Sequence, residues 1–132
     1  MQLTRLRHIA FTVRSLDVSV PWYRDLFELD EIRREVSNER SAVILGSSAS
    51  RFQIGLVQHS GTGKHRFDCT TVGLDHAAWS VDGRDELDAW TRELSAKGVE
   101  HSPIADVGPV SVLNFKDPDG IALSLFWDAP NP

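Results

Sequence analysis

Apolar and polar residues alternate in several short runs of the chain, and two longer stretches instead repeat apolar residues at helical spacing. "RHIAFTV" (residues 7–13) and "DHAAWSV" (75–81) alternate as half-buried strands do. "SLDVSVPWYRDLFEL" (15–29) and "DELDAWTRELSAKG" (85–98) show the spacing of three to four residues that is typical of amphipathic helices. The pattern therefore predicts two strand–helix pairs, and Gly98 is expected at the C-terminal end of the second helix.

Further strand candidates follow each helix and are separated by polar or Gly- and Ser-containing turns. They are, in chain order, "DEIRREV" (30–36), "SAVILG" (41–46), "RFQIGLVQ" (51–58), "VEHSPI" (99–104), "PVSVLNF" (109–115) and "IALSLFW" (121–127). "DPDG" (117–120) has Pro and Gly where a type I turn prefers them. Ser15 or Asp17 is expected to cap the first helix. The predicted order of elements is β-α-β-β-β, twice.

The two halves also match residue by residue. Placing His8 beneath His76 aligns "HIAFTVRSLDVSVPWYRDL" with "HAAWSVDGRDELDAWTREL" without a gap. The aligned identities include Ala10 with Ala78, Trp22 with Trp90 and Leu26 with Leu94. We interpret this match as a duplicated module. It predicts an α+β domain over residues 1–132, made of a module at 1–60 and a module at 73–128 that are joined by a linker at 61–72.

Composition narrows the classes of function. The formal charge of −5 is spread along the 132 residues without a basic stripe, so nucleic acid is not an expected partner. The single cysteine, Cys69, cannot form an internal disulfide, and no cysteine pair suggests structural zinc. No stretch approaches the roughly 20 apolar residues that span a bilayer. We therefore expect a cytoplasmic protein that does not bind membranes.

"HIAFTV" before a helix that ends in "WYRDLF", and "DPDG" before the last strand, complete a recognisable pattern. Together with the duplication, they resemble the vicinal oxygen chelate superfamily, which includes glyoxalase I, bleomycin-resistance proteins and extradiol dioxygenases. The resemblance covers nearly the whole chain. It implies two tandem βαβββ modules that form a cupped mixed sheet around a cavity, and a homodimer. Because this scaffold hosts several chemistries, function depends on the residues of the site.

The resemblance also implies a divalent metal, Fe, Mn, Ni or Zn, held by histidine and glutamate from the first and last strands of each half. His8 and His76 match the two histidine positions. Neutral imidazoles suit these metals, and carboxylates offset the charge of the cation. Gly55 and Ser124, however, stand where glyoxalase-like members carry glutamate, so Ser124 is at most a weak further ligand. Each histidine is also explained as a hydrogen-bonded strand residue.

Other residues are expected near the same cavity, which should be largely apolar. By strand alternation Gln53 shares the face of Gly55 and is an alternative oxygen ligand, whereas Asp75 should point away from the face of His76. Core packing is the alternative for each aromatic residue, and a place in the linker is the alternative for His59. The residues that we expect to contact a bound molecule are Phe11, Gln53, Gly55, His59, Trp79, Ser124 and Phe126.

The sequence leaves open whether the protein is an enzyme. The loss of both carboxylates favours a binding protein of the bleomycin-resistance kind, which would hold a small aromatic or oxygenated molecule with an incomplete metal site. The paired histidines, His8 and His76, favour a divalent-metal-dependent lyase or isomerase of the glyoxalase type, or an extradiol-type dioxygenase. A non-catalytic dimer module is the third alternative.

Overall fold

The two halves of the chain fold alike in a computed structural model, which describes residues 1–63 and 65–131. Lys64, within the predicted linker, and Pro132 lie outside the described residues. The chain divides into unit 1, Met1–His65, and unit 2, Arg66–Pro132. This division falls inside the segment that we predicted to join the two modules. No helix among the described residues is both long and apolar enough to cross a membrane.

Unit 1 consists of one helix and a four-stranded sheet. In chain order its elements are β1 (Ile9–Thr12), α1 (Leu16–Phe27), β2 (Asp30–Val36), β3 (Arg40–Gly46) and β4 (Ile54–His59). The strands lie in the order β1-β4-β3-β2, with β1 parallel to β4 and the other neighbours antiparallel. The parallel pair places Ile9, which directly follows the predicted ligand His8, beside Ile54, and Ala10 beside Gly55.

Unit 2 repeats this arrangement. Its elements are β5 (Ala77–Ser80), α2 (Arg84–Ala96), β6 (Ala105–Val107), β7 (Val110–Lys116) and β8 (Ala122–Asp128). The strand order is β5-β8-β7-β6, and β5 is parallel to β8. β5 begins directly after His76 as β1 begins directly after His8, and the helices begin at the aligned positions Leu16 and Arg84. The structure therefore confirms the α+β fold and the duplicated βαβββ order.

One face of each sheet packs against the helix of its own unit. In unit 1, Phe11 is 3% exposed and its ring stacks on Tyr23 of α1 at 5.8 Å between centroids. In unit 2, the ring of Trp90 on α2 stacks on Phe115 at 6.5 Å. The leucines of unit 2 that are at most 2% exposed are Leu87, Leu94, Leu113, Leu123 and Leu125. Because side chains alternate along a strand, the residues between these core positions lie on the opposite face of each sheet.

The helix ends differ partly from the sequence prediction. Ser15 occupies the N-cap position of α1, as predicted, but its side chain makes no capping hydrogen bond, and Asp17 lies within the first turn. Instead Gln58 of β4 accepts the backbone N–H of Leu16 through Oε1 at 2.9 Å, because tertiary packing brings this amide to the helix end. At the end of α2, Gly98 has φ +68° and donates its N–H to the carbonyl of Ser95, as its predicted role requires.

The strand predicted over residues 99–104 is wrong. That segment contributes an isolated bridge between His101 and Phe115, and β6 begins only at Ala105. Two local features account for the difference. Pro103 has no N–H for a strand ladder. The Ser102 hydroxyl accepts the N–H of Asn114 at 3.0 Å, so a side-chain oxygen takes the place of the backbone carbonyl that would accept this N–H in a regular strand pair.

The predicted "DPDG" turn is confirmed and also holds the start of unit 2. Asp117 is 5% exposed and accepts the backbone N–H groups of Asp119 and Ile121 through Oδ1, each at 2.8 Å. Gly120 donates its N–H to the carbonyl of Asp117 at 3.0 Å, and Phe67 donates to the carbonyl of Asp119 at 3.0 Å. The turn therefore connects the last two strands and anchors residues 66–67 to the same unit.

We expect Gly120→Ala to destabilise the protein by about 1–2 kcal/mol. Gly120 has φ +82°, and an added Cβ would lie 3.2 Å from Nη2 of Arg66, so the variant suffers both backbone strain and crowding. Urea unfolding followed by circular dichroism measures the effect. Gly61→Ala is the matched control, because its Cβ would meet no atom within 4 Å. Equal stability of the two variants would contradict the expectation.

Candidate functional site

The predicted ligands His8 and His76 lie in different units, each directly before the first strand of its unit. Both side chains are exposed. Nδ1 of His76 lies 2.7 Å from Oδ1 of Asp75, so Asp75 does not point away from His76 as strand alternation predicted. Both residues precede Ala77, where β5 begins, and the pleat that would separate them is absent there. Because a carboxylate only accepts, Nδ1 of His76 is the protonated donor.

The two positions at which the family resemblance implies a glutamate are structurally equivalent. Ala10 stands two residues after His8 and pairs with Gly55, whereas Ala78 stands two residues after the second histidine and pairs with Ser124. The pairing therefore places Gly55 and Ser124 at the same point of the two sheets. The strand register alone supports this equivalence.

The space beside Gly55 is already filled. A Cβ added there would lie 3.1 Å from Cβ of Ala10 and 3.3 Å from Cδ1 of Ile44, both tight contacts. Gln53 lies next to His8 in the sheet, because its carbonyl accepts the N–H of Ile9 at 3.3 Å, and its side chain is half-buried. The backbone of Gln53 therefore lies beside that of Ile9, one residue after His8.

Ser124 forms a short polar pair with a neighbouring strand. Its hydroxyl donates to Oδ1 of Asn114 at 2.6 Å, and the two residues are direct cross-strand partners in β8 and β7. Ser124 is 4% exposed, whereas the side chain of Asn114 is exposed. The hydroxyl at the missing carboxylate position is therefore uncharged and already hydrogen-bonded within the protein.

A cavity of about 590 Å³ opens on this face of the unit 2 sheet. It contains His76, Ser124 and Phe126, three residues that the sequence assigned to the site. The volume lies within the range of roughly 300–1,000 Å³ that is typical of small-molecule sites. The structure thus brings half of the predicted metal pair together with two predicted contact residues inside one unit.

The same cavity contains polar residues that the sequence analysis missed. They are Glu100, His101, Ser102, Asn114 and Lys116. Two of these, Asn114 and Lys116, alternate with the buried Leu113 and Phe115 along β7. Polar residues at every second position of an apolar strand were the available signal, but alternation alone does not distinguish a cavity wall from a solvent-facing surface.

His101 is held firmly in the cavity wall. Its Nε2 lies 2.7 Å from Oγ of Ser95, and its Nδ1 lies 2.8 Å from the carbonyl oxygen of Ser102. Because that carbonyl accepts, Nδ1 carries the proton and Nε2 accepts from the Ser95 hydroxyl. Both ring nitrogens are engaged, so His101 connects the end of α2 to the segment before β6 and shapes the cavity rather than offering a lone pair to it.

The other five predicted contact residues do not line this cavity. Gln53 and Gly55 lie in unit 1, as described above. Phe11 packs on α1 in the core of unit 1. Trp79 pairs with Leu125 and shares its sheet face, which is opposite to the face of Ser124. His59 lines a separate cavity of about 350 Å³ in unit 1, and its backbone N–H donates to Oγ1 of Thr62 at 3.0 Å.

The residues of the two units do not fit a metal centre built from a histidine and a carboxylate in each half. Among residues 1–63 and 65–131, neither unit gathers three or more His, Cys, Asp or Glu side chains in an arrangement that could hold a metal ion. At the four positions that the family resemblance assigns to ligands, unit 1 has an imidazole and a glycine, and unit 2 has an imidazole and the hydroxyl of Ser124, which is directed at Asn114. Neutral donors alone leave the charge of a divalent cation unbalanced.

Comparison with known proteins gives a consistent family. A family model described as "Glyoxalase/Bleomycin resistance protein/Dioxygenase superfamily" matches residues 5–125. A crystal structure of a glyoxylase/bleomycin resistance protein/dioxygenase domain from Frankia sp. EAN1pec superposes with a TM-score of 0.89 and is 31% identical. That match covers 96% of this chain and 99% of the Frankia chain.

Two curated relatives show the range of named activities. One is a manganese-dependent 2,3-dihydroxybiphenyl 1,2-dioxygenase from Geobacillus genomosp. 3, which is 23% identical over 99% of this chain. This chain spans only 39% of the length of that relative. The other is the metallothiol transferase FosB from Staphylococcus epidermidis, which is 25% identical over 95% of this chain and 82% of its own length.

Proposed function

Because this chain belongs to the glyoxalase/bleomycin-resistance/dioxygenase superfamily, we propose that it binds a small aromatic or oxygenated molecule in the cavity of unit 2, through direct contacts and without a metal. The cavity volume of about 590 Å³ suits such a ligand. Val112 and Phe126 supply apolar walls, and Ser124 with Asn114 supplies polar groups on the same sheet face. Few, well-placed polar groups in an apolar cleft are typical of small-molecule sites.

The hydrogen-bonded pair of Ser124 and Asn114, at a position where the family resemblance implies a glutamate, is the observation that carries this proposal. The Ser124–Asn114 pair is neutral and satisfied, so it neither attracts nor requires a cation. Among the described residues, His76 is not part of any group of three or more His, Cys, Asp or Glu side chains that could hold a metal ion, so a divalent ion there would lack a full set of ligands. Recognition by hydrogen bonds and apolar contact needs no such set.

We expect metal binding to be weak, with a Kd above about 100 μM, or less favourable than roughly −5.5 kcal/mol. Calorimetric titration with Mn²⁺, Fe²⁺, Co²⁺, Ni²⁺ and Zn²⁺ measures it, and elemental analysis of protein purified without chelators or a nickel column provides an independent check. His8→Ala and His76→Ala are the matched variants. Micromolar or tighter binding that either variant abolishes would overturn the metal-free proposal.

A second function is a divalent-metal-dependent lyase or isomerase, or an extradiol-type dioxygenase, that uses His8 and His76. The contact of 2.7 Å between His76 and Asp75 favours it, because metal-binding histidines commonly donate their other ring N–H to a carboxylate. The manganese-dependent dioxygenase among the relatives also favours it. Turnover that a chelator removes and one added metal restores would support this function, and activity unaffected by chelators would exclude it.

The homodimer expected from the family resemblance stays a prediction. Light scattering at several protein concentrations measures it directly, and a mass of 14.7 kDa throughout would contradict it.

A further inference from the structure

The contact between Asp75 and His76 gives the cavity a defined hydrogen-bonding polarity at one end. Nδ1 of His76 donates to Oδ1 of Asp75 at 2.7 Å, so the neutral ring keeps its proton on Nδ1. The second nitrogen, Nε2, is then an acceptor. Because His76 lines the cavity, this acceptor is available to a hydroxyl or amine of a bound molecule. The geometry requires no metal for this role.

Lys116 lies at the other end of the same row of the sheet. Ala77 pairs with Leu123 and Lys116 pairs with Ala122, so the row that contains Ala122 and Lys116 continues to His76. Neighbouring strands are about 4.8 Å apart, which places the backbones of His76 and Lys116 about 10 Å apart, two strands away from each other. Ala122 lies between them, and its small side chain leaves room for a ligand above the sheet.

The next two rows complete a platform. Ser124 and Asn114 form the neighbouring row, and Phe126 and Val112 form the row beyond it. All four residues line the cavity. A flat ring can therefore rest on Ala122 and the polar pair with its edge against Phe126, while its two ends reach the acceptor and the ammonium group.

We propose that Asp75 positions His76 as a hydrogen-bond acceptor and that Lys116 binds the opposite, anionic end of the same ligand. The ligand is then a flat molecule that carries a hydroxyl at one end and a carboxylate at the other, about one aromatic ring apart. This inference rests on the proposed metal-free binding in the cavity of unit 2. Asp75 acts only through His76 and is a positioning residue, whereas Lys116 contacts the ligand itself.

The cavity wall also contains a carboxylate, that of Glu100. His101 bridges Phe115 in antiparallel fashion, so the preceding residue, Glu100, falls opposite Lys116, and both line the cavity. A ligand carboxylate bound at Lys116 would therefore lie near the carboxylate of Glu100, and the two like charges repel each other. Removing the charge of Glu100 should strengthen binding of an acid, and removing the charge of Lys116 should weaken it.

The tautomer of His76 tests the first half of the proposal without any ligand. At pH 8.5, ¹⁵N–¹H correlation spectra should show the Nδ1–H tautomer in the wild type, because Nδ1 donates to Asp75. Asp75→Ala should shift the ring toward the Nε2–H tautomer, whereas Asp82→Ala, which removes an exposed acid outside the cavity lining, should not. A wild-type ring protonated on Nε2 would overturn the assignment of Asp75.

Calorimetry with three probes tests the ligand class. We expect 4-hydroxybenzoate to bind about tenfold more tightly than benzoate, which lacks the hydroxyl, and about tenfold more tightly than 4-hydroxybenzamide, which lacks the charge. Asp75→Ala should remove the preference for 4-hydroxybenzoate over benzoate and keep the preference over 4-hydroxybenzamide. Lys116→Gln should have the opposite effects. Glu100→Gln should tighten binding of both acids. Failure of both acids to bind, or equal effects of Asp75→Ala and Lys116→Gln on all probes, would overturn the ligand class.

Phe126→Ala separates this inference from the proposed function, because Phe126 contributes apolar contact to any ring in the cavity. One outcome is that Phe126→Ala weakens binding of all three probes equally while Asp75→Ala and Lys116→Gln leave both preferences unchanged. In that case the probes bind in the cavity as proposed, and only the roles inferred for Asp75 and Lys116 are wrong. If Phe126→Ala leaves binding of every probe unchanged, the molecules bind elsewhere, and the proposed function fails with it.

Discussion

Replacing Ser124 with glutamate should raise the affinity of the protein for Mn²⁺ or Zn²⁺ by about a hundredfold, or roughly 2.7 kcal/mol. The new carboxylate would stand on the sheet face that carries the cavity, in the row next to His76, and would offset part of the charge of the cation. In the absence of metal the same side chain should lower stability, because position 124 is 4% exposed and burial of a carboxylate is unfavourable. Calorimetric metal titration and urea unfolding with and without metal measure both effects.

Ser124→Gln is the matched control, because glutamine has nearly the shape of glutamate without its charge. The gain in metal affinity should be absent from Ser124→Gln and lost from Ser124→Glu combined with His76→Ala. Gly55→Glu is a poorer test, since Ala10 and Ile44 crowd the Cβ that glutamate would require. A gain that persists without His76 would show that the introduced carboxylate binds metal by itself, and the inferred relationship between positions 76 and 124 would be wrong.

Most of the fold could be predicted because the sequence pattern of each element occurs in both halves of the chain. The strand predicted at 30–36 has those bounds in the structure, and the strand predicted at 41–46 starts one residue earlier. The alignment of His8 with His76 also aligns the starts of both first strands and of both helices. Hydrophobic periodicity fixes which strand face packs on a helix, and that information is local to the sequence. A duplicated pattern reduces the chance that such a local signal misleads.

The failed predictions depend on contacts that local patterns do not contain. The segment at 99–104 alternates like a strand, but Pro103 and the hydroxyl of Ser102 prevent regular pairing. Asp75 approaches His76 because β5 begins after both residues, and sequence alternation assumes a pleat that is absent there. Strand ends are set by tertiary hydrogen bonding, so the residues that matter most for the site are those whose placement is hardest to predict.

The cavity residues illustrate the same limit. The sequence placed Ser124 in the site through the family resemblance and Phe126 as an aromatic residue of the last strand, but it gave no reason to join Lys116 or Glu100 to them. Those residues reach the cavity through the antiparallel pairing of β7 and β8 and through the bridge between His101 and Phe115. Pairing register, rather than residue type, decides which polar side chains share the ligand site.

Leu113→Ala should destabilise the protein by about 2–5 kcal/mol, because it removes a fully buried side chain from the middle of β7. Leu113 is 0% exposed and pairs with Leu125, which is 2% exposed, so little rearrangement can fill the space. Urea unfolding measures the loss, and Val107→Ala, at a side chain that is 67% exposed, should change stability by less than about 0.5 kcal/mol.

The neighbouring residue separates stability from binding, because Leu113 and Asn114 occupy opposite faces of the same strand. Under conditions in which Leu113→Ala remains folded, its affinity for 4-hydroxybenzoate should equal that of the wild type. Asn114→Ala should instead weaken binding of 4-hydroxybenzoate, since it removes the hydrogen-bond partner of Ser124. It should lower stability much less than Leu113→Ala, because Asn114 is exposed. Loss of binding in folded Leu113→Ala would mean that the helix-facing core, and not the open face of the sheet, sets the ligand site.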